Sequence, residues 1–124
     1  ARPRRGEVRL DHRKLKAFEL ADALVVEVYR ATQSFPAEER YGLVSQLRRA
    51  AVSVPTNIVE GCARESQRDY VRFLYVSLGS LREVGYLLDL SRRLGFLEAE
   101  RAEQLDAQYN EAARTLAGLL KSLS

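Results

Sequence analysis

The stretch that decides the fold is QLRRAAVSVPTNIVEG, residues 46–61, which combines a helical periodicity with an internal proline. Its apolar residues recur at steps of three and four, the spacing that lines one face of a helix. These residues are Leu47, Ala50, Val54 and Ile58. Pro55 lies inside this run, where it donates no hydrogen bond to the carbonyl of Ala51 and its ring crowds that carbonyl. The stretch therefore predicts a helix that bends at Pro55 around a core.

A row of polar residues lies beside this apolar face. Its members are Gln46, Arg49, Ser53, Asn57 and Glu60. In one interpretation the bend opens a pocket around Asn57 and Glu60. In the other, which the small residues before Pro55 favour, the polar side chains satisfy backbone groups that the proline leaves free. The sequence also allows Arg49 and Arg64 to form a buried ion-pair network with these two polar residues, a structural role rather than a catalytic one.

Outward from this stretch the chain divides into four helical segments with short connections. They cover about residues 15–33, 37–62, 67–94 and 98–122. Ser66 and Asp69 resemble a cap at the start of the third segment, and Gly61 lies near the end of the second, where a left-handed residue is favourable. The pattern predicts an all-α fold: an antiparallel up-down-up-down four-helix bundle over residues 14–124, with a proline-kinked second helix, after a basic N-terminal arm of residues 1–13.

Each of the other three segments carries an apolar seam at helical spacing. In the first the seam is Phe18, Ala21, Val25, Val28 and Thr32. In the third it is Tyr70, Leu74, Ser77, Leu81, Val84 and Leu88. In the fourth it is Ala102, Leu105, Tyr109, Ala112, Leu116, Leu119 and Leu123. We expect these seams to form the core of the bundle.

The composition is typical of one soluble domain. The chain has 124 residues, of which 46% are hydrophobic and 30% charged, enough for a single core. No apolar stretch approaches the roughly 20 residues of a membrane span, and the N-terminus lacks the apolar segment of a signal peptide. The only cysteine, Cys62, excludes an intrachain disulfide and fits a reducing compartment, so we expect a cytoplasmic protein.

Positive charge is concentrated at the N-terminus. Residues 1–16 contain seven Arg and Lys residues against Glu7 and Asp11, a net +5, whereas the other 108 residues contain 13 cations and 15 anions, a net −2. A basic arm is either a solvated tail or a means of gripping nucleic acid. The arm's candidates for phosphate contact are Arg2, Arg4, Arg5, Arg9, Arg13, Lys14 and Lys16. On the body the candidates are Arg48, Arg64, Arg68 and Arg72.

The usual enzyme sites are not supported by the sequence. The only histidine, His12, precedes the bundle, so a nucleophile–histidine site would need unusual geometry. One histidine and one cysteine exclude the common zinc sites and the paired Glu-x-x-His motifs of di-iron bundles. No Gly-rich phosphate loop is present. Cys62 is either a reactive thiol or, more simply, a small residue near a helix end. We expect no enzyme activity, metal or cofactor.

The central stretch also carries a family resemblance. FPAEERYGLVSQLRRAAVSVPTNIVEGCAR, residues 35–64, and the later GSLRE, residues 79–83, resemble the 23S rRNA intervening-sequence proteins. The residues that match this family's pattern are Phe35, Pro36, Glu39, Gln46 to Ala50, Ser53, Pro55, Asn57, Ile58, Glu60, Gly61, Arg64 and Gly79 to Glu83. The resemblance extends over nearly the whole chain from about residue 14. Two positions depart from the family: Phe18 stands where tryptophan is usual, and Gly85 where a glutamate is frequent.

The resemblance implies a bacterial four-helix bundle that assembles into a homopentamer. It also implies a likeness to the accessory variability proteins of diversity-generating retroelements, which bind nucleic acid and a reverse transcriptase. Nucleic-acid binding, to RNA or DNA, is therefore the leading hypothesis. The alternative is an interaction scaffold that partners a reverse transcriptase without its own affinity for nucleic acid, and an enzyme that uses Asn57 and Glu60 ranks third. Apolar residues outside the seams are candidates for the interfaces between copies: Leu43, Val44, Phe73, Tyr86 and Leu87.

Overall fold

Four long helices account for most of the chain. The computed structural model describes residues 10–124, apart from the side chain of Lys14. The helices are α1 (Lys16–Thr32), α2 (Leu43–Cys62), α3 (Gln67–Arg93) and α4 (Ala99–Ser122), and short 3-10 turns cover His12–Lys14 and Ala37–Glu39. Residues 10–124 contain no strand. The predicted all-α bundle is confirmed. The basic N-terminal arm is predicted over residues 1–13, and its residues 1–9 lie outside the described residues.

The second helix begins later than predicted. The sequence pattern placed its start near residue 37, but Ala37–Glu39 is a separate 3-10 turn and α2 begins at Leu43. The backbone leaves the helical region at Gly42, where φ is −106° and ψ is −107°. Because the apolar periodicity continues across this break, spacing alone did not reveal it.

Contacts between α2 and α3 show that these helices run in opposite directions. At one end, Gln46 Nε2 donates to Glu83 Oε2 at 3.3 Å, and further along the hydroxyls of Ser53 and Ser80 are 2.8 Å apart. At the other end, Gly61 packs against Tyr70. Position numbers therefore rise along α2 as they fall along α3, which is the antiparallel arrangement.

The remaining helix pairs follow the same rule. Arg48, early in α2, donates to Thr32 at the end of α1. Gln67, at the start of α3, donates to the Leu123 carbonyl just after α4. Arg101 of α4 donates to Glu27 of α1 at 2.8 Å and holds the pKa of that carboxyl below its usual value. These contacts close the four helices into an up-down-up-down bundle.

The predicted seams lie in the core, with exceptions at its edges. All six seam residues of α3 and the four apolar residues of the opening stretch are buried, as is Pro55. The seam residues that are only partly buried are Phe18, Val25, Tyr109, Leu119 and Leu123. The core is therefore densest between α2 and α3.

Three of the five residues proposed for interfaces between copies are core residues, so that prediction is wrong for them. Leu43, Val44 and Leu87 are buried inside the chain. Each lies three or four residues from a seam residue, so it extends the same buried face. Phe73 is partly buried, and Tyr86 is exposed.

Of the two features predicted at helix ends, the Ser66 cap and a left-handed Gly61, only the first is present. The Ser66 cap is confirmed, because its Oγ accepts from the Asp69 amide at 3.2 Å. Gly61, however, is an ordinary helical residue, and within residues 10–124 the glycine with positive φ is Gly95, at +80°. An added Cβ on Gly61 would lie 3.1 Å from the Cβ of Phe73. Gly61 therefore permits close packing of α2 on α3 instead of ending the helix in a left-handed turn.

Candidate nucleic-acid interface

The proline in α2 is surrounded by side chains that donate to backbone carbonyls. Thr56 Oγ1 donates to the Val52 carbonyl at 2.7 Å, and Asn57 Nδ2 donates to the Ser53 carbonyl at 2.8 Å. Across the interface, the buried Ser77 hydroxyl of α3 donates to the carbonyl of Val54 at 2.7 Å. Helix α2 is continuous through this region. These bonds give the polar residues a structural role, and a bend of α2 at Pro55 stays a prediction.

The two family-like motifs meet at the α2–α3 interface. Gln46 and Ser53 contact Glu83 and Ser80, which belong to the later GSLRE stretch. A shallow cleft of about 270 Å³ lies beside these contacts and is also lined by Arg49. The polar row thus joins two helices, and its cleft lies next to Gln46 and Ser53.

The predicted buried ion-pair network is wrong. Glu60 is exposed and bonds to Arg64 within its own helix at 3.2 Å. Asn57 bonds to Ser53, and Arg49 is exposed. The long Arg and Glu side chains reach the surface because their positions lie beside, not on, the buried face of α2.

Cys62 has the surroundings of an inert thiol. It is buried, and burial together with the nearby Asp11 raises the pKa of its thiol from 9.0 to about 11. The adjacent Tyr70 is also buried, and its pKa rises from 10.0 to about 12, mainly through burial. Its hydroxyl has no hydrogen-bond partner in the described part of the chain. At neutral pH both groups are protonated, which does not favour a nucleophilic cysteine.

The N-terminal candidates fall largely outside the structure. Arg2, Arg4, Arg5 and Arg9, together with the side chain of Lys14, lie outside the described residues. Arg13 is exposed but donates twice to the carboxylate of Asp11. Lys16 Nζ lies 3.8 Å from Glu19. The basic arm therefore stays a prediction from the sequence.

The body candidates divide into two pairs. Arg48 lies over the ring of Tyr29 at 4.5 Å and donates to two oxygens of α1. Arg64 bonds to Glu60 and lies over Phe73. These two arginines are held by contacts within the chain. Arg68 and Arg72 are exposed on α3, where they belong to a longer row. Arg72 also lies over the ring of Phe73, at 4.7 Å.

The outward residues of α3 form a row that the sequence analysis missed. They recur at steps of three and four residues, and we call them the α3 row: Arg68, Arg72, Tyr75, Gly79, Arg82, Tyr86, Leu90 and Arg93. All are exposed except Leu90, which is partly buried. At 1.5 Å per residue the row is about 37 Å long. It contains four arginines and no carboxylate. The signal is the same 3–4 spacing, which the sequence analysis applied to the polar residues of the second helix but not to those of the third.

Acidic residues of α3 lie beside the row and pair with two of its four arginines. Arg93 donates to Asp89 at 2.9 Å, and Arg72 lies 3.8 Å from Asp69. Among residues 10–124, neither Arg68 nor Arg82 forms an ion pair. Arg82 Nη1 contacts the Tyr109 hydroxyl at 3.4 Å. The row therefore keeps uncompensated positive charge.

The outward residues of α2 have a different character. We call them the α2 row: Ser45, Arg48, Val52, Thr56 and Val59. Val52 is 39% exposed and Val59 36%. Arg48 is the only charged member, and its guanidinium is held against Tyr29 of α1. The α2 row is thus mostly uncharged.

A larger cavity lies between α3 and α4. Its volume is about 580 Å³, and Asp89, Glu103 and Asp106 are among its lining residues. The ring of Tyr109 fills the space beside Gly85, so that an added Cβ there would overlap the ring. A glutamate at position 85, frequent in the resembling family, does not fit this arrangement. The acidic lining does not suit a nucleic acid.

The described part of the chain has neither a membrane-spanning helix nor a metal-binding cluster. No helix within residues 10–124 is long and apolar enough to cross a membrane. The same residues contain no group of three histidine, cysteine, aspartate or glutamate side chains placed to bind a metal ion.

The fold and the joined motifs define the chain as a small four-helix-bundle protein. Its sequence matches the family described as 23S rRNA-intervening sequence protein over residues 13–118, and the chain belongs to that family. The predicted family is thereby confirmed. The fold is similar to that of a crystallised protein of unknown function from the S23 ribosomal protein family of Bacteroides thetaiotaomicron VPI-5482, with a TM-score of 0.78. The two sequences are 21% identical, and the match covers 85% of this chain and 95% of the other. No curated protein matches the chain.

Proposed function

We propose that this protein is a non-enzymatic, oligomeric accessory protein that binds nucleic acid through basic surfaces, with little sequence preference. The observation that supports the proposal most is the α3 row, which presents four arginines and no carboxylate to solvent. Phosphate contacts by such residues give affinity without reading the base sequence. The basic arm of residues 1–13 adds to the same attraction.

Assembly would multiply these surfaces. The family resemblance implies five copies, and a net charge of +3 per chain then gives +15 per pentamer. The mostly uncharged α2 row is the surface we assign to contacts between copies, because partly exposed valines gain from being covered. A stable monomer in light scattering at micromolar concentration contradicts this part of the proposal.

The proposed binding is tested by a titration of fluorescent oligonucleotides over a salt series. We expect affinity to fall steeply with salt, with a log–log slope of about −0.9 per neutralised phosphate on duplex DNA and about −0.7 on single strands. A variant that lacks residues 1–9 keeps the contacts of Leu10 and His12 with Cys62 and Phe18. It should bind all sequences more weakly and show a flatter slope, with an unchanged melting temperature. If this variant binds as tightly as the intact protein at every salt concentration, the arm is only a solvated tail.

The second candidate function is a protein-interaction scaffold. It is supported by the α2 row, which offers a mostly uncharged surface to another protein. If the intact protein binds neither duplex nor single strand even at low salt, the scaffold replaces the nucleic-acid proposal. A reverse transcriptase, which the resemblance to accessory variability proteins implies, is then the first partner to test by co-purification.

A further inference from the structure

Two tyrosines stand among the arginines of the α3 row. Tyr75 and Tyr86 are each 59% exposed, although aromatic rings of this size gain from burial. They are 11 residues apart, which corresponds to about 16 Å along the helix axis. Arg82 lies between them, and Arg72 lies one turn before Tyr75. Aromatic rings thus alternate with cations along one exposed surface.

A glycine lies between the two rings. Gly79 is in the interior of α3, where glycine is among the least favourable residues for a helix. An added Cβ on Gly79 would meet no atom within 4 Å in the described part of the chain, so internal packing does not require this glycine. Gly61 and Gly85 differ, because neighbouring side chains occupy the space next to them. Gly79 therefore leaves open space at the centre of the row.

The two rings and the cations together favour one kind of occupant. Arginines attract phosphates, and exposed aromatic rings stack on bases. In a duplex the bases are stacked on one another and present only their edges, whereas a single strand offers the faces of its bases. A second copy of the same face would bring like-charged arginine rows together, which disfavours self-association through this surface.

We propose that the α3 row is a binding surface for single-stranded nucleic acid, in which Tyr75 and Tyr86 stack on bases while Arg68, Arg72 and Arg82 contact phosphates. Gly79 lets the strand approach the helix backbone between the two rings. The inference rests on the proposed function and narrows its substrate from nucleic acid in general to single strands. At about 3.4 Å per stacked nucleotide, the rings are about five nucleotides apart.

The test compares affinities for 20-nucleotide DNA and RNA single strands and the matching DNA duplex. Replacing both tyrosines, as Tyr75→Ala with Tyr86→Ala, should weaken single-strand binding at least tenfold, because each stacked base contributes about 5- to 150-fold. Duplex binding should change less than threefold, and the salt slope should stay the same because no charge is removed. The Tyr75→Phe, Tyr86→Phe variant keeps the rings and should bind like the wild type.

The matched control for the rings is Tyr41→Ala. Tyr41 is 86% exposed, lies next to an arginine and belongs to the connection before α2 and not to the α3 row. Its replacement should leave single-strand affinity unchanged. The chain contains six tyrosines and no tryptophan, so tyrosine emission reports directly on stacking. Quenching by a single strand should be smaller in the double alanine variant than in the Tyr41→Ala variant.

A second pair of variants tests the open space. Gly79→Leu places a bulky side chain between the rings, and we expect it to weaken single-strand binding at least fivefold. Gly118→Leu is its control, because Gly118 is also an exposed helical glycine with no atom near an added Cβ among the described residues. Leucine favours a helix more than glycine, so both variants should keep or raise the melting temperature.

The outcomes separate this inference from the proposed function. If the alanine variant binds single strands like the wild type, the stacking surface is wrong while general nucleic-acid binding stands. If affinity for duplex falls as much as that for single strands, the preference for single strands is wrong. If Gly79→Leu changes the oligomeric state without nucleic acid, the α3 row is a contact between copies and the inference fails. If the wild type binds no nucleic acid, both proposals fail.

Discussion

The outward rows of α2 and α3 belong to adjacent helices and differ in chemistry. The α3 row presents four arginines and two tyrosines, whereas the α2 row presents two valines beside small polar residues and one arginine held by α1. Whole-helix composition does not reveal this difference clearly, because α3 also carries three carboxylates. The two surfaces differ because the carboxylates of α3 lie beside its outward row and not on it. This difference is the reason why we propose nucleic acid as the ligand of the α3 row and protein contacts for the α2 row.

The largest expected effect comes from reversing charge on the α3 row. We expect Arg68→Glu with Arg82→Glu to weaken nucleic-acid binding on the order of 100-fold at low salt, because two phosphate contacts become repulsive. Fluorescence anisotropy measures the loss. Arg40→Glu with Arg114→Glu, which removes equal charge at exposed positions elsewhere, is the control. An equal loss in the control means that net charge, and not the row, determines binding.

The next prediction concerns negative charge introduced on the α2 row. Val52→Asp with Val59→Asp should dissociate the oligomer, weakening assembly at least tenfold, because charged groups lose water when covered. Light scattering gives the mass, and each chain should still bind nucleic acid. Val76→Asp, at an exposed valine of α3, is the control and should leave the mass unchanged. A double variant that stays oligomeric rules out the α2 row as the interface.

A smaller effect concerns the hydrogen bond that Ser77 of α3 donates to α2. Ser77→Ala should lower the free energy of unfolding by about 1–3 kcal/mol, since it leaves the buried Val54 carbonyl without this donor. Glu60→Ala should cost at most about 1 kcal/mol, because Glu60 is exposed and forms only a surface ion pair. Urea unfolding measures both. Similar losses in the two variants contradict the structural role assigned to Ser77.

The smallest effect is a dependence of stability on alkaline pH. It arises from Cys62 and Tyr70, which lie where α2 and α3 meet near their connection. The raised pKa values of Cys62 and Tyr70 mean that the unfolded chain releases these protons first. Stability should therefore be fully present below about pH 9 and fall as pH rises toward 11 for Cys62 and 12 for Tyr70. Tyr70→Phe should leave stability at pH 7 unchanged or slightly higher, and flatten the decline above pH 10. Thermal melts over pH 7–11 measure this decline in stability. An identical decline in the Tyr70→Phe variant contradicts the part assigned to Tyr70.

The helices and their buried seams were predictable because burial follows a local period. The α3 seam from Tyr70 to Leu88 was correct at every position. The start of α2 was not predicted, since the backbone break at Gly42 has no effect on apolar spacing. Leu43, Val44 and Leu87 were misplaced because a seam assigned by strict steps is narrower than the face that a bundle buries.

The candidate site was less predictable than the fold. Whether an arginine is available depends on partners distant in sequence: Arg48 contacts α1 across 16 residues, and nothing near it in the chain indicates this. The α3 row was readable in principle, because its spacing is regular. The sequence analysis used polar spacing only for the second helix, so Tyr75, Arg82 and Arg93 of the third were not predicted.

The contact between Gly85 and Tyr109 constrains how this sequence can change. Any side chain at position 85 would overlap the tyrosine ring, so substitution there requires a smaller residue at position 109 or a different ring orientation. Relatives with a glutamate at position 85 should carry a smaller residue at position 109 or orient its ring differently. The two positions, 24 residues apart and on different helices, should therefore vary together across the family, and exchanging one of them alone between members should be harmful where exchanging both is tolerated.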